Sequence, residues 1–157
     1  MALTSMTTFL SFDHQALDAA NFYVALFPDS RITNVSHYQA DAQLPEGSVL
    51  TVEFEIFGTS FAALNGGPHV EHSEAVSFQV HCETQEDVDQ IWNALIADGG
   101  SEGRCGWCKD RWGVSWQVIP AALGRALQGL DDYDSSYAFK AMMGMTKIEV
   151  DLLRPSS

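Results

Sequence analysis

The chain has 157 residues, 46% hydrophobic and 11% aromatic, enough for a buried core and against disorder. Eight Lys and Arg against 21 Asp and Glu give a net charge of −13, a surface that repels phosphate backbones and anionic lipid, so neither nucleic acid nor membrane is an expected partner. No apolar run reaches the ~18 residues of a membrane span and no basic-then-apolar leader opens the chain, so a cytoplasmic protein is expected.

After a frayed start over 1–6, Thr7 to Phe12 reads as a strand. Asp13 is the candidate N-cap of the next helix, whose apolar stripe is Leu17, Ala20, Val24 and Phe27. Pro28-Asp29-Ser30 ends that helix, Arg31 to His37 forms a strand, and residues 39–48 form a polar loop. Val52, Phe54 and Ile56 alternate with Glu53 and Glu55, the period of a half-buried strand. Gly58-Thr59 turns the chain into a hairpin partner over Ser60 to Asn65.

Gly66-Gly67-Pro68 and the polar stretch 69–74 break the pattern, and then the order recurs. In Val76 to Cys82, the residues Phe78, Val80 and Cys82 alternate with Ser77, Gln79 and His81. Thr84-Gln85-Glu86-Asp87 has the form of a capping box, opening a helix with the stripe Val88, Ile91, Trp92, Leu95 and Ile96. Gly99-Gly100 stops it. Glu102 to Lys109 and Val114 to Ile119 are two further strands around the turn Asp110-Arg111-Trp112-Gly113. The second set is one strand short unless residues 100–105 supply it. A helix over Ala121 to Gln128, another from Ser135 to Met143, and a strand over Ile148 to Leu152 close the chain.

Several ordered pieces are more specific than this pattern. They are Ala19-Ala20-Asn21-Phe22-Tyr23 before Phe27-Pro28, Leu64-Asn65-Gly66-Gly67-Pro68, and Ala75-Val76-Ser77-Phe78-Gln79-Val80. Cys105-Gly106-Trp107, Lys109-Asp110 and Gly113-Val114-Ser115-Trp116-Gln117-Val118-Ile119-Pro120 complete the set. Together they resemble the PhnB-like branch of the vicinal oxygen chelate (glyoxalase/bleomycin-resistance) superfamily, many members of which carry the name 3-demethylubiquinone-9 3-methyltransferase. The resemblance runs from Thr7 to Leu152. It implies an α+β fold of paired βαβββ modules, cupped mixed sheets with helices on the convex face, assembled as a homodimer. The expected organisation is a single domain over 1–157, with modules at 7–67 and 75–120 and a helical tail with a terminal strand at 121–157.

Metal-dependent members of the superfamily place His and Glu ligands on the inner strands. The resemblance puts Thr7, Asn65, Ala75 or Ser77, and Gln117 at those positions, none of them an imidazole or a carboxylate. No metal and no other cofactor is therefore expected. A nucleotide-like methyl donor generally needs a glycine-rich turn at a helix N-terminus, and neither Gly66-Gly67 nor Gly99-Gly100 opens a helix in this reading.

Three cysteines are too few for a disulfide scaffold, and their odd number fits reduced thiols. Cys105-Gly106-Trp107-Cys108 has redox spacing but lies on a predicted strand instead of at a helix N-terminus. His69-x-x-His72 with that pair would make a zinc inventory, yet nothing in the sequence brings the two pairs together.

On the expected concave faces the alternation and the resemblance leave Phe9, Ser11, Asn65, Gln79, His81, Trp107 and Gln117 as ligand-pocket candidates. Aromatic walls with a few amides suit a small, partly apolar molecule held by hydrogen bonds. His81 is the one candidate on that face of a type that titrates near neutrality. Three readings follow: a metal-independent binding protein or enzyme, a metal-dependent glyoxalase or dioxygenase relative, and a non-catalytic dimeric scaffold. Ala121, Leu123, Ala126, Leu127, Tyr137, Phe139, Met142 and Met143 supply the apolar surface for a homodimer.

Overall fold

Each half of the chain builds the same four-stranded sheet. The computed structural model describes Ala2, residues 4–39 and residues 45–155; 40–44 of the expected polar loop and two positions of the frayed start lie outside the described residues. The chain divides into two compact units, 1–71 and 72–157.

In the first unit the order in the chain is β1 (Thr8–Phe12), α1 (Ala16–Leu26), β2 (Ser30–His37), β3 (Val49–Ile56) and β4 (Thr59–Asn65). The sheet order is β1-β4-β3-β2, with β1 parallel to β4 and the other pairs antiparallel. The second unit repeats it with β5 (Ser77–Cys82), α2 (Gln85–Ile96), β6 (Ser101–Glu102), β7 (Trp107–Lys109) and β8 (Ser115–Pro120), in the order β5-β8-β7-β6. Ser101–Glu102 thus supplies the strand that the sequence left short. The expected strand over Glu102 to Lys109 is in fact two: a tight turn separates β6 from β7, closed by Gly103 N–H donating to the Trp107 carbonyl at 2.8 Å, with Cys105 at a φ of 56°.

The helices bury one face of each sheet. In α1 that face is Ala16, Ala19, Ala20 and Tyr23, continued by Phe27, so Leu17 and Val24 of the expected stripe stand half-buried at its flank. The small residues let α1 sit low on the sheet while Tyr23 meets Phe54, itself stacked on Phe61 at 5.3 Å. Asp13 does not cap this helix; Gln15 holds the N-cap position without a side-chain bond. Instead Asn65 Oδ1, at the end of β4, accepts the Ala16 N–H at 2.8 Å. The second helix follows its pattern closely: Thr84 and Asp87 form the reciprocal capping box, and Val88, Ile91, Trp92 and Leu95 are buried.

The turn between β7 and β8 is held by one buried carboxylate. Asp110 is 2% exposed; its Oδ1 accepts the N–H groups of Trp112 and Val114, each at 3.0 Å, and its Oδ2 accepts the Trp116 indole N–H at 2.9 Å.

After β8 come α3 (Ala121–Leu127) and α4 (Ser135–Met143), the latter capped by Asp134. The expected terminal strand is absent among the described residues. Val150–Leu153 is a 3-10 turn, and Ile148 and Leu153 are both fully buried. The strand does not form because its backbone is taken by a side chain: Gln85 Nε2 donates to the Ile148 carbonyl at 3.1 Å and Gln85 Oε1 accepts the Val150 N–H at 2.8 Å. Among the described residues no helix is long and apolar enough to cross a membrane.

Candidate functional site

The face of the second sheet opposite α2 is set by register. Ser77 pairs with Ser115, Gln79 with Gln117 and His81 with Ile119, while Trp107 on β7 stands across from Gln117. Period-two alternation puts all of these on one face and sends Val80, Cys82, Trp116 and Val118 to the helix side. A hydrogen-bonded row crosses the open face: Gln79 Nε2 donates to Gln117 Oε1 at 3.0 Å, and Gln117 Nε2 donates to Ser77 Oγ at 2.8 Å. Each glutamine therefore fixes the next, and the amides are held in defined orientations.

Above this row lies an open cavity of about 440 Å³. Four of the predicted residues, Gln79, His81, Trp107 and Gln117, line it together. Its opposite wall is apolar: Leu123 and Leu127 from α3, and Met142 from α4. Ile119, Cys105, Pro120, Ala121 and Gly124 complete the lining. The sequence reading missed these eight. Ile119 was within reach, since it sits two positions after Gln117 on the same strand face. The helix residues carried no such signal, because nothing in their spacing says which side of the sheet they meet.

The other three predicted residues belong to the first unit. Phe9 is 58% exposed and lines a separate cavity of about 360 Å³ with Thr7, Glu53, Glu55 and Ser60. Glu55 is bound there by Arg31 at 2.7 Å. Ser11 is half-buried farther along β1. Asn65 is 6% exposed and committed to the fold: beyond capping Ala16, its Nδ2 donates to the Val49 carbonyl at 2.9 Å.

The three thiols are free. Cys82 and Cys108 are buried, and burial, with a smaller contribution from Asp87 or Asp110, pushes them up to about 11 and about 12. Cys105 is half-buried in the turn before β7, so the Cys-x-x-Cys spacing joins a turn residue to a core residue.

The donors at the superfamily's metal positions do not fit a transition metal. Ser77 and Gln117 are hydrogen-bonded to one another, Asn65 is spent on backbone groups, and neutral hydroxyl and amide oxygens bind such ions weakly. Among the described residues no three His, Cys, Asp or Glu side chains gather as a metal site. A methyl donor fares no better. Gly66-Gly67 follows β4 and Gly99-Gly100 follows α2, so neither pair opens a helix. A Cβ on Gly100 would stand 2.4 Å from the Leu95 carbonyl oxygen and 2.7 Å from that of Lys109, which marks it as a close-packing position.

Two mixed four-stranded sheets, each backed by a helix, are the paired-module architecture of the vicinal oxygen chelate superfamily. The chain belongs to the 3-demethylubiquinone-9 3-methyltransferase family, whose model matches residues 4–119. Among solved structures it is similar to the PhnB protein from Bacillus cereus, with 32% identity and a TM-score of 0.68 over 75% of this chain and 100% of that one. Protein PA1353 from Pseudomonas aeruginosa shares the fold at 17% identity and a TM-score of 0.60, over 75% of this chain and 98% of that one. So does the fosfomycin resistance protein FosX from Listeria monocytogenes, complexed with Mn(II) and sulfate ion, at 12% identity and a TM-score of 0.53, over 82% of this chain and 98% of that one. No curated protein matches the chain.

Proposed function

We propose that this protein binds a small, partly apolar molecule in the cavity of its second unit, without a metal ion, and works as a homodimer. The observation that carries this reading is the convergence of Gln79, His81, Trp107 and Gln117 with an apolar wall around about 440 Å³, a size within the range of small-molecule sites. The ordered amide row supplies directional hydrogen bonds, and Trp107 supplies an aromatic surface. The absence of a fitting donor set at the metal positions supports a metal-free mode of binding. Methyl transfer, named in the family's description, draws no support from the glycine positions.

FosX carries Mn(II) on the same fold, which is the observation behind a second, metal-dependent reading; at 12% identity the likeness concerns the fold alone.

The test is retention of a metabolite. Full-length protein and its Gln117→Leu variant, purified without added metal, are incubated with a small-molecule extract, desalted and examined by mass spectrometry. A molecule retained by the wild type and lost from the variant is the expected result. No differential retention would overturn the binding role. Near-stoichiometric transition metal in the purified protein, with its removal abolishing retention, would establish the metal-dependent reading instead.

A further inference from the structure

The family match ends at residue 119, and 75% of this chain accounts for the whole of the Bacillus cereus PhnB protein. The segment 121–153 lies beyond the family match. It is nonetheless built firmly into the second unit. Leu123, Ala126, Ala138, Met145, Ile148 and Leu153 form their own buried cluster, with Ile119 of β8 packed against it. The Cys105 N–H donates to the Met145 carbonyl at 2.9 Å and the Gly106 N–H to the Thr146 carbonyl at 2.7 Å. Gly106 has a φ of 84°, and a Cβ there would meet the Val118 carbonyl oxygen at 2.9 Å and Ile148 at 3.2 Å, so the docking requires glycine. Gln85 and the Lys147–Asp89 pair fasten the far end to α2.

One side of this anchored segment is the apolar wall of the cavity, through Leu123, Gly124 and Leu127 of α3 and Met142 of α4. The polar wall comes from the matched region, and it has a defined offer. Gln79 gives one N–H to Gln117, which leaves its amide oxygen and second N–H for a ligand among the described residues. That donor–acceptor pair is complementary to a neutral amide-like group.

We propose that segment 121–153 is the specificity element of the cavity. It selects a ligand whose neutral, donor-and-acceptor head meets Gln79 and whose alkyl or aryl tail lies against α3 and α4. The inference rests on the binding role given above and deepens it by naming the ligand class and the part of the chain that reads the tail.

Straight-chain primary amides from butanamide to octanamide are the probes, titrated calorimetrically into the full-length protein. Gly124 offers a way to fill the wall without strain, since a Cβ there meets nothing within 4 Å. Affinity in the wild type is expected to rise with each methylene, by up to about fourfold for full burial. In Gly124→Trp, and independently in Leu127→Gln at a 36%-exposed position, octanamide is expected to lose at least tenfold more affinity than butanamide. The melting temperature of each unliganded variant reports its fold, and Leu127→Gln carries the test should Gly124→Trp unfold. Binding that ignores chain length, or a chain-length gain unchanged in the folded variants, would overturn the specificity role and leave the cavity reading standing. No binding of any amide to the wild type would overturn the ligand class proposed here and leave the binding role to the retention test above.

Discussion

Asn65 closes the N-terminus of α1 from 49 residues away: its Oδ1 accepts the Ala16 N–H at 2.8 Å while its Nδ2 donates to the Val49 carbonyl at 2.9 Å. One buried amide thus ties a helix start, the end of β4 and the beginning of β3 together. The arrangement replaces the local cap that Asp13 was expected to provide.

Asn65→Ala should therefore destabilise the protein by about 1–3 kcal/mol, combining a lost cap with the loss of the amide donor to a half-buried carbonyl. Asn65→Asp, which keeps the acceptor toward Ala16 and loses the donor, should fall between the wild type and the alanine variant. Urea unfolding monitored by circular dichroism measures both, and an alanine variant as stable as the wild type would contradict the structural role of this side chain.

The thiols give a second expectation. Burial raises Cys82 to about 11 and Cys108 to about 12, so neither ionises appreciably at pH 8, whereas Cys105 is half-buried beside the cavity. A coloured disulfide reagent at pH 8 should label one thiol per native chain quickly and all three in denaturant. Cys105→Ser should abolish the fast phase. Two fast thiols in the native wild type would refute the burial of the other pair.

What the sequence made legible follows from local physics. The alternation in β5 puts Gln79 and His81 on one face, because a strand's side-chain period is fixed, while Gln117 is reached through the family resemblance. Thr84 and Asp87 announced the start of α2 for the same reason: a capping box closes within four residues. The misses depend on distant partners. Ile148 to Leu152 has the composition of a strand, but Gln85, more than sixty residues earlier, occupies the backbone groups a neighbouring strand would need. The stripe of α1 was misaligned because its alanines face the sheet to admit Tyr23 and Phe54, a packing choice invisible from apolar spacing alone. Leu123, Leu127 and Met142 entered the cavity by tertiary placement only.

The clamp at the chain's end has a pH signature. A hydrogen bond from Lys147, then one from Gln85, holds the Asp89 carboxyl below its usual value, and the hydrogen bond to Asp89 holds Lys147 above its own. The lowered Asp89 contributes stability above the ordinary carboxylate range and loses it as pH falls through its folded value. The raised Lys147 contributes stability below the ordinary lysine value and loses it as pH rises through its folded value. Lys147→Met should therefore be less stable than the wild type across the neutral range, by about 1 kcal/mol or less for a half-buried pair still screened by water. The difference should shrink at both acid and strongly alkaline pH, and in high salt. A gap that stays constant from pH 3 to pH 9 would show that packing of the lysine stem, and not the ion pair, is responsible.

The last expectation concerns assembly. Ala138 turns the inner side of α4 into the tail's core, while Tyr137, Phe139 and Met143 remain 38%, 56% and 46% exposed. Phe139 and Met143 are one helical turn apart, so they make a continuous apolar strip on the outer side. Such a strip merely caps the unit if it meets only water, but it costs solubility there, and burial against a second copy removes that cost. The net charge of −13 opposes association at long range. Screening at ~8 Å in physiological salt confines that repulsion to near contacts, where apolar burial dominates. A specific dimer should bury at least ~1,000 Å² in total. Light scattering at micromolar protein in 0.15 M salt should give twice the 17.2 kDa chain mass. Phe139→Glu should shift the protein toward the single-chain mass without lowering its helix content. Wild-type protein that stays at the single-chain mass as concentration rises would show that α4 has no second copy as its partner.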